Sequence, residues 1–197
     1  MVMKPLKIFL CDLTYDTVTL STDAFPLNIA YIASYAKTRF NEDVEITLFK
    51  YIEKLESALE TSPPDIIGFS NYAWNRRIGK EMSKIFLEKN PNGIVVWGGP
   101  NFPADYPSQL NFFKKFPEID VYIPIEGEIG FSNIVEKALT VKSKNTLREK
   151  ILNDSISGCI TKLNSGKIEY PISDNRIKAL DDIPSPYLTG ILDEFFD

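Results

Sequence analysis

The segment from Ser70 to Asn75 combines one hydroxyl, two amides and two aromatic rings within six residues. Hydroxyl and amide groups can hydrogen-bond a polar ligand, and the rings of Tyr72 and Trp74 can stack on a flat one. The same rings could instead pack beneath the loop as part of the core. Ser70 ends an apolar run, so both interpretations place Ser70 at the end of a buried strand and Asn71, Tyr72 and Trp74 just after it.

A pair of glycines follows another apolar run. Gly98 and Gly99 end this run, and Pro100 and Asn101 come next. Since the pair carries no side chains, a ligand or a neighbouring backbone could approach it closely. The pair could equally form a tight turn in which one glycine adopts a positive φ.

Acidic residues follow two further apolar runs. Asp12 ends the first of these runs and opens the loop at residues 12–15, where it could be solvated, cap the loop or face a ligand. Glu126 and Glu128 flank Gly127 just before a segment of helical spacing. Carboxylates there could cap the helix and favour the positive end of its dipole, or they could contact the amides or sugar of a ligand.

Catalysis by histidine is excluded because the chain contains no histidine. No Ser-His-Asp triad, Cys-His pair or imidazole metal ligand can form. Cys11 and Cys159 are too few for a four-cysteine zinc site or an iron–sulfur site. We therefore expect the chain to bind a ligand rather than to catalyse a reaction by itself, and we predict no metal-ligating residue.

The composition is that of a globular protein, with 44% hydrophobic residues, 25% charged residues and a formal net charge of −5. A nucleic-acid-binding protein needs a basic face, and we expect the lysine-containing segment at 137–150 to be an ordinary solvated surface. The chain has no apolar run of about 18 residues and no pattern of a signal peptide. We therefore expect a cytoplasmic protein with neither nucleic acid nor membrane as a partner.

Short apolar runs alternate with segments of helical spacing along most of the chain. The apolar runs lie at residues 7–12, 44–51, 65–70, 93–99 and 119–124. This alternation predicts βαβ units, a parallel sheet and helices on both of its faces. We predict an α/β, flavodoxin-like (Rossmann-like) doubly wound domain over residues 1–140, with a five-stranded parallel sheet of order 2-1-3-4-5 in three α/β/α layers. Ligands of such sheets bind beyond the carboxyl ends of the strands, where the polar residues described above should lie.

The composition changes after residue 140. Residues 143–153 are polar and predict a loop or a fraying helix, while residues 157–163 and 167–171 flank Gly166 in a hairpin pattern. We therefore predict an extension at 141–180, made of a polar loop and a β-hairpin. Two prolines mark residues 181–197 as a linker, and the apolar pair near its end indicates that the chain belongs to a longer protein.

Taken together, these motifs resemble the N-terminal cobalamin-binding domain of cobalamin-dependent radical S-adenosylmethionine (SAM) enzymes. They are FPLNIAYIA at 25–33, PDIIGFS at 64–70, VWGGP at 96–100 and DVYIPIEGE at 120–128. Ile125 replaces the first glycine of the family's GEGE element. The segments SGCI at 157–160 and LDDIPSP at 180–186 resemble the bridge to a catalytic barrel. The resemblance covers nearly the whole chain and depends on the order and spacing of the motifs.

The resemblance implies cobalamin as the cofactor and a radical SAM barrel of the same polypeptide as the partner. It implies a parent enzyme, in its usual form a methyltransferase, that also holds a [4Fe-4S] cluster and SAM. This chain cannot hold the cluster because it lacks the CxxxCxxC motif. The cofactor contacts that the resemblance and the strand ends together predict are Asp12, Leu13, Thr14, Tyr15, Ser70, Asn71, Tyr72, Trp74, Gly98, Gly99, Pro100, Asn101, Glu126, Gly127 and Glu128.

Two departures from the family's pattern affect how cobalt would be held. Many cobalamin domains carry D-x-H-x-x-G after the first strand, and its histidine ligates cobalt, whereas this chain reads DLTYD at residues 12–16. Asn101 stands where the family often has a histidine. By analogy with members that lack the histidine, cobalamin would bind base-off. Its lower face would then be open, or would meet Tyr15, Tyr72 or a water.

Two other functions are compatible with the same pattern. A flavodoxin-like electron carrier would bind flavin mononucleotide (FMN) through a phosphate loop at residues 14–22, although this loop has no glycine to cradle a phosphate. A degenerate module would bind no cofactor and would only dock partners. A phosphoreceiver domain is disfavoured because the third strand ends in Ser70 and Asn71 instead of an aspartate.

Overall fold

One mixed sheet of seven strands forms the centre of the molecule. The structure is a computed structural model that describes residues 4–15, 24–171 and 176–196. The strand order is β2-β1-β3-β4-β5-β6-β7. The strands are β1 (Leu6–Cys11), β2 (Val44–Phe49), β3 (Ile66–Ser70), β4 (Ile94–Gly98), β5 (Val121–Ile123), β6 (Ile160–Lys162) and β7 (Ile168–Glu169). The pairs among β1 to β5 are parallel, which confirms the predicted order 2-1-3-4-5, and the predicted hairpin adds two antiparallel strands beside β5.

Helices cover both faces of the sheet. They are α1 (Leu27–Phe40), α2 (Ile52–Thr61), α3 (Arg76–Lys89), α4 (Tyr106–Lys115), α5 (Gly127–Leu139) and the short α6 (Leu147–Ile151). The first core lies under α1, α5 and α6, and the second lies under α2, α3 and α4. Alternation along the strands produces this division, because Leu10 of β1 faces the first core while Phe9 and Cys11 face the second. The helix starts of α1 and α5 therefore lie at the carboxyl edge of the sheet, on the same face.

The segment predicted as a polar loop or fraying helix is more ordered than its composition indicates. Leu147 and Ile151 are buried in the first core. Arg148 forms an ion pair with the fully buried Asp120, with 2.7 Å between guanidinium and carboxylate. These contacts are long-range in sequence, so the local polarity of the segment did not reveal them.

The segment predicted as a linker packs against α1. The hydroxyl of Ser34 donates a hydrogen bond to the carbonyl of Pro184 at 2.8 Å, and Leu192 is buried in the first core. The ring centroids of Phe25 and Phe196 are 4.8 Å apart. The division into a domain, an extension and a linker remains a prediction. Among the helices of the described residues, none is long and apolar enough to cross a membrane.

Candidate functional site

A cleft of about 440 Å³ opens at the carboxyl ends of the parallel strands, on the face covered by α1 and α5. Its apolar wall includes Leu10 of β1, Val96 of β4 and Ile123 at the end of β5. Helix α1 contributes Asn28 and Ile32, and the start of α5 closes the opposite side. Because this edge is where doubly wound sheets bind ligands, the cleft is the candidate site.

Small residues make room in the cleft. Gly68 and Ser70 of β3 and Gly98 of β4 all line it. A Cβ atom at Gly98 would meet only Ile123, at 3.4 Å from its carbonyl oxygen and 3.8 Å from its Cβ, which are ordinary van der Waals distances. A larger side chain at position 98 would therefore fit the backbone and occupy the cleft itself.

The loop that begins at Gly99 packs directly on the end of β3. Gly99 has a φ of 118°, and a Cβ there would lie 3.1 Å from the carbonyl oxygen of Asn71. Asn71 is fully buried, and its side-chain amide donates to the carbonyl of Asn101 at 2.8 Å. The turn interpretation is therefore confirmed for Gly99, whose positive φ other residues would strain. Gly98 leaves space beside the cleft, and the approach of a ligand to it remains a prediction.

Asp12 belongs to a hydrogen-bonded cluster beside the cleft. Its Oδ1 accepts hydrogen bonds from the hydroxyl of Ser70 and from the amide of Asn75, the latter at 3.3 Å. Burial raises the pKa of Asp12 above its usual range, although the hydrogen bonds of Ser70 and Asn28 and the charge of Lys50 oppose this rise. Asp12 is therefore neither fully solvated nor part of the cleft wall. It orients the side chain of Ser70, which does line the cleft.

The Ser70 hydroxyl has limited capacity left for a ligand. It donates to Asp12 and accepts from the side-chain amide of Asn75 at 2.9 Å. A hydroxyl has one donor and two acceptor positions. Ser70 can therefore accept one more hydrogen bond, which selects a ligand group that donates.

The two aromatic rings lie at the mouth of the cleft and not in the core. Tyr72 and Trp74 stack with centroids 4.6 Å apart and planes 4° from parallel. Trp74 is 61% exposed, while Tyr72 lines the cleft and its hydroxyl accepts from the amide of Asn28 at 3.3 Å. The alternative in which both rings pack beneath the loop is therefore wrong.

The acidic pair differs from the predicted helix cap. Glu126 is the residue before α5, but its side chain makes no capping hydrogen bond. It accepts instead from the guanidinium of Arg176, at 3.0 Å from Nε and 2.7 Å from Nη2. Capping by the Glu126 side chain is therefore wrong, whereas Glu128 lies in the first turn of α5, where its charge suits the helix dipole. Both carboxylates and Gly127 line the cleft.

The residues predicted as contacts divide into two groups. Those that line the cleft are Ser70, Tyr72, Gly98, Gly99, Pro100, Glu126, Gly127 and Glu128. Those outside its lining are Asp12, Leu13, Thr14, Tyr15, Asn71, Trp74 and Asn101. Leu13 and Thr14 are buried, because Leu13 packs in the second core and the Thr14 N–H donates to the carbonyl of Lys50 at 3.1 Å.

Sequence reasoning missed most of the apolar wall and the contribution of α1. The missed residues are Leu10, Asn28, Ile29, Tyr31, Ile32, Gly68, Phe69, Val96, Ile123, Pro124, Ile125 and Phe131. One available signal was a glycine inside a strand, Gly68, which often marks a close approach. Another was the start of α1, since a helix that follows a strand begins near that strand's carboxyl end.

Neither a metal cluster nor a reactive thiol accompanies the cleft. Over residues 4–15, 24–171 and 176–196, the structure has no group of three or more Cys, Asp or Glu residues arranged to hold a metal ion. Both cysteines are buried, and burial raises the pKa of Cys159 to about 12 and that of Cys11 well above its ordinary value.

Comparisons with known proteins identify the family of this chain. Residues 14–135 match the model of the B12 binding domain family. The chain is 34% identical over 130 residues to the cobalamin-dependent radical SAM methyltransferase TokK of Streptomyces tokunonensis, covering 66% of this chain and 17% of TokK. It is 28% identical over 138 residues to the 2-(S-pantetheinyl)-carbapenam-3-carboxylate methyltransferase of Streptantibioticus cattleyicolor, covering 70% of this chain and 18% of that protein.

A solved structure has the same fold. The cobalamin-dependent SAM radical enzyme OxsB, solved with aqua-cobalamin and SAM bound, aligns with a TM-score of 0.66 at 17% identity. The alignment covers 98% of this chain and 26% of OxsB. The chain spans less than a fifth of the length of the two curated methyltransferases that it matches. Since the family match extends over more than half of its residues, the chain belongs to the B12-binding domain family.

Proposed function

We propose that this chain is the cobalamin-binding domain of a radical SAM enzyme and that it holds cobalamin base-off, with no histidine on the cobalt. The observation that carries the proposal is the cleft at the strand ends, lined by Gly68, Ser70 and Gly98, in a chain of the B12-binding family. Cobalamin, when bound, supplies a cobalt centre that can carry and donate a methyl group. The residues of this chain bind it, orient it and exclude water.

The nucleotide tail of the cofactor would pass between β3 and β4, where the small residues leave room. The apolar wall formed by Leu10, Val96 and Ile123 suits the aromatic base at the end of the tail. Ser70, oriented by Asp12, would accept one hydrogen bond from a donor group of the ligand. We assign these residues to the tail because they belong to the strands of the sheet, and Leu10, Val96 and Ile123 among them are buried.

The corrin ring would lie at the mouth of the cleft. Its amide side chains are hydrogen-bond donors, and the carboxylates of Glu126 and Glu128 are acceptors that line this part of the cleft. The stacked rings of Tyr72 and Trp74 offer a flat apolar surface at the same edge. Because the chain contains no histidine, no imidazole of this chain would hold the cofactor. Tyr72 lines the cleft and would contact the ring there, whereas Tyr15 lies outside the cleft lining.

A second domain would cover the open edge. Trp74 and Ile125 are 61% and 70% exposed. Ile125 lines the cleft, and Trp74 stacks on Tyr72, which also lines it. Exposed apolar residues beside a site are typical of a surface that a partner covers. We assign this partner to a radical SAM barrel of the same polypeptide, which would hold the [4Fe-4S] cluster and SAM. Both curated relatives are much longer methyltransferases, which supports methyl transfer as the parent's reaction.

Titration of the purified chain with hydroxocobalamin tests the binding function. We expect saturable binding and the absorbance spectrum of base-off cobalamin near neutral pH. A bound cofactor with an intact lower base would contradict the base-off mode. Absence of binding would contradict the function and favour a docking module. A parallel titration with FMN tests the flavodoxin-like alternative, whose predicted phosphate loop at 14–22 lies mostly outside the described residues.

The sequence of the parent gene tests the larger assignment. We expect the reading frame to encode CxxxCxxC beyond residue 197, because a [4Fe-4S] cluster of this enzyme class needs three cysteines from the barrel. A complete reading frame without that motif would contradict the radical SAM parent while leaving cobalamin binding open to the titration.

A further inference from the structure

We propose that Tyr122 is a positioning residue for the cofactor, and that its buried hydroxyl holds residues 98–101 in the conformation that admits the nucleotide tail. Tyr122 does not line the cleft and acts only through the loop that does. The inference rests on the proposed function, since it concerns how this chain binds cobalamin.

The ring of Tyr122 is fixed by its surroundings. Tyr122 is the central residue of β5, and it is fully buried. Phe102 stacks on it with ring centroids 4.0 Å apart, and Phe112 meets it edge-on at 5.7 Å. Because aromatic packing holds the ring, the phenolic oxygen has a defined position beneath the loop.

The hydroxyl connects the glycine turn to the end of β3. It donates a hydrogen bond to the carbonyl of Gly99 at 2.7 Å and accepts one from the side-chain amide of Asn71 at 3.0 Å. Burial raises the pKa of Tyr122 above its ordinary value, so the hydroxyl keeps its proton and remains a donor.

Asn71 completes the attachment of the loop. Its backbone N–H donates to the carbonyl of Gly98 at 2.6 Å, and its side-chain amide donates to the carbonyl of Asn101 at 2.8 Å. Tyr122 and Asn71 therefore turn the carbonyls of Gly98, Gly99 and Asn101 into the protein.

The orientation of the first peptide plane has a consequence for ligand binding. The N–H and C=O groups of a trans peptide point in opposite directions, so the N–H of Gly99 points away from Asn71. This N–H has no hydrogen-bond partner within the described parts of the chain. It is thus available to an acceptor group of a ligand in the cleft.

Loss of the Tyr122 hydroxyl would loosen the loop before the ligand arrives. In Tyr122→Phe, the Gly99 carbonyl and the Asn71 amide would both lose a partner in a buried site. The loop would then relax, and cobalamin binding would include the cost of ordering it again. The phenylalanine ring would keep the stacking on Phe102, so the substitution removes the hydrogen bonds and little of the packing.

The test compares two corrinoids in Tyr122→Phe and in wild type. Cobalamin carries the nucleotide tail, whereas cobinamide has the corrin ring without it. We expect the dissociation constant for cobalamin to rise about tenfold, the equivalent of one or two lost hydrogen bonds. The dissociation constant for cobinamide should stay within twofold of wild type. Amide hydrogen exchange at residues 98–101 of the ligand-free variant should become faster.

Ser83→Ala is the matched control. Ser83 is fully buried under the opposite face of the sheet, donates to the carbonyl of Gly79 at 2.7 Å and accepts from the indole N–H of Trp97 at 3.1 Å. Its removal should lower the melting temperature as Tyr122→Phe does, because each variant loses a buried hydroxyl with two partners. It should leave the dissociation constant for cobalamin unchanged.

Several outcomes would overturn the inference. Unchanged cobalamin affinity in folded Tyr122→Phe would do so, as would an equal loss for both corrinoids or an equal loss in Ser83→Ala. If Tyr122→Phe does not fold, Asn71→Ala removes the same attachment from the other side and must give the same selective loss. If wild type binds neither corrinoid, the proposed function itself fails, which is distinct from wild-type binding without an effect of the variant.

Discussion

Filling the cleft from Gly98 should weaken cofactor binding strongly without unfolding the protein. Gly98 is the last residue of β4 and lines the cleft, and its φ lies outside the positive range that disfavours other residues. A Cβ at this position would be at least 3.4 Å from its nearest neighbour. Gly98→Leu would therefore place an isobutyl group in the space assigned to the nucleotide tail.

Gly98→Leu should stabilise the ligand-free chain slightly and destabilise its complex with the cofactor. In the ligand-free chain, replacing a strand glycine relieves a cost of about 0.5–1 kcal/mol, and the leucine gains apolar contacts with the cleft wall. We therefore expect the free energy of unfolding to stay equal or to rise by about 1 kcal/mol. In the complex, the added carbons overlap the ligand, and forcing extra methylenes into a filled site costs about 1–3 kcal/mol or more. Affinity should fall by roughly 10- to 100-fold or beyond measurement.

Hydroxocobalamin titration measures the affinity, and urea denaturation of the same preparations measures the free energy of unfolding. Gly98→Ala is the matched control, because it restricts the backbone similarly but adds a single methyl at ordinary contact distance from Ile123. We expect it to bind within a few-fold of wild type. Undiminished affinity in a folded Gly98→Leu chain would refute the passage of the tail beside Gly98. Substitution of Gly99 would be less informative because its φ of 118° strains any side chain.

Two further predictions concern buried charges. Burial raises the pKa of Asp12, so the folded chain keeps a proton that the unfolded chain loses above about pH 4, and the contribution of Asp12 to stability declines as the pH rises through that window. Asp12→Asn should remove this decline in urea denaturation between pH 4 and 8, and an unchanged profile would contradict the buried position of the carboxyl. Arg148→Ala should cost about 3 kcal/mol, because it leaves the buried Asp120 without its ion-pair partner. Cobalamin affinity per folded molecule should not change in that variant. If the free energy of unfolding falls by less than about 1 kcal/mol, the ion pair contributes little to stability.

The parallel core was predictable because its pattern is local. Each of the five parallel strands is a short apolar run, and the helices between them show the spacing of one buried face. Because βαβ connections are right-handed and five-stranded sheets commonly have the order 2-1-3-4-5, few topologies of the strands and helices remain possible. The helix α6 was less predictable, because Leu147 and Ile151 are buried by contacts with distant parts of the chain.

The candidate site was predictable where it depends on strand ends. Ser70 and Gly98 end apolar runs and Glu126 follows one, and a parallel sheet brings such positions to one edge. Asn28 and Ile32 were missed, because the wall formed by α1 depends on how that helix packs on the sheet. The direction of the side chains was also not predictable. Ser70 ends β3 and lines the cleft, whereas Asp12 and Asn71, each the first residue after a strand, form hydrogen bonds beside the cleft.

The sequence by itself determined the fold class, the sheet edge where the candidate cleft lies and the absence of any imidazole, because these follow from local periodicity and from residue types alone. Only the tertiary structure decided which polar groups reach the cleft, how Tyr122 attaches the glycine turn, and that the last segment packs on α1. These features depend on contacts between residues far apart in the chain. The direction of a hydrogen bond or the burial of a ring is settled only when those elements pack together.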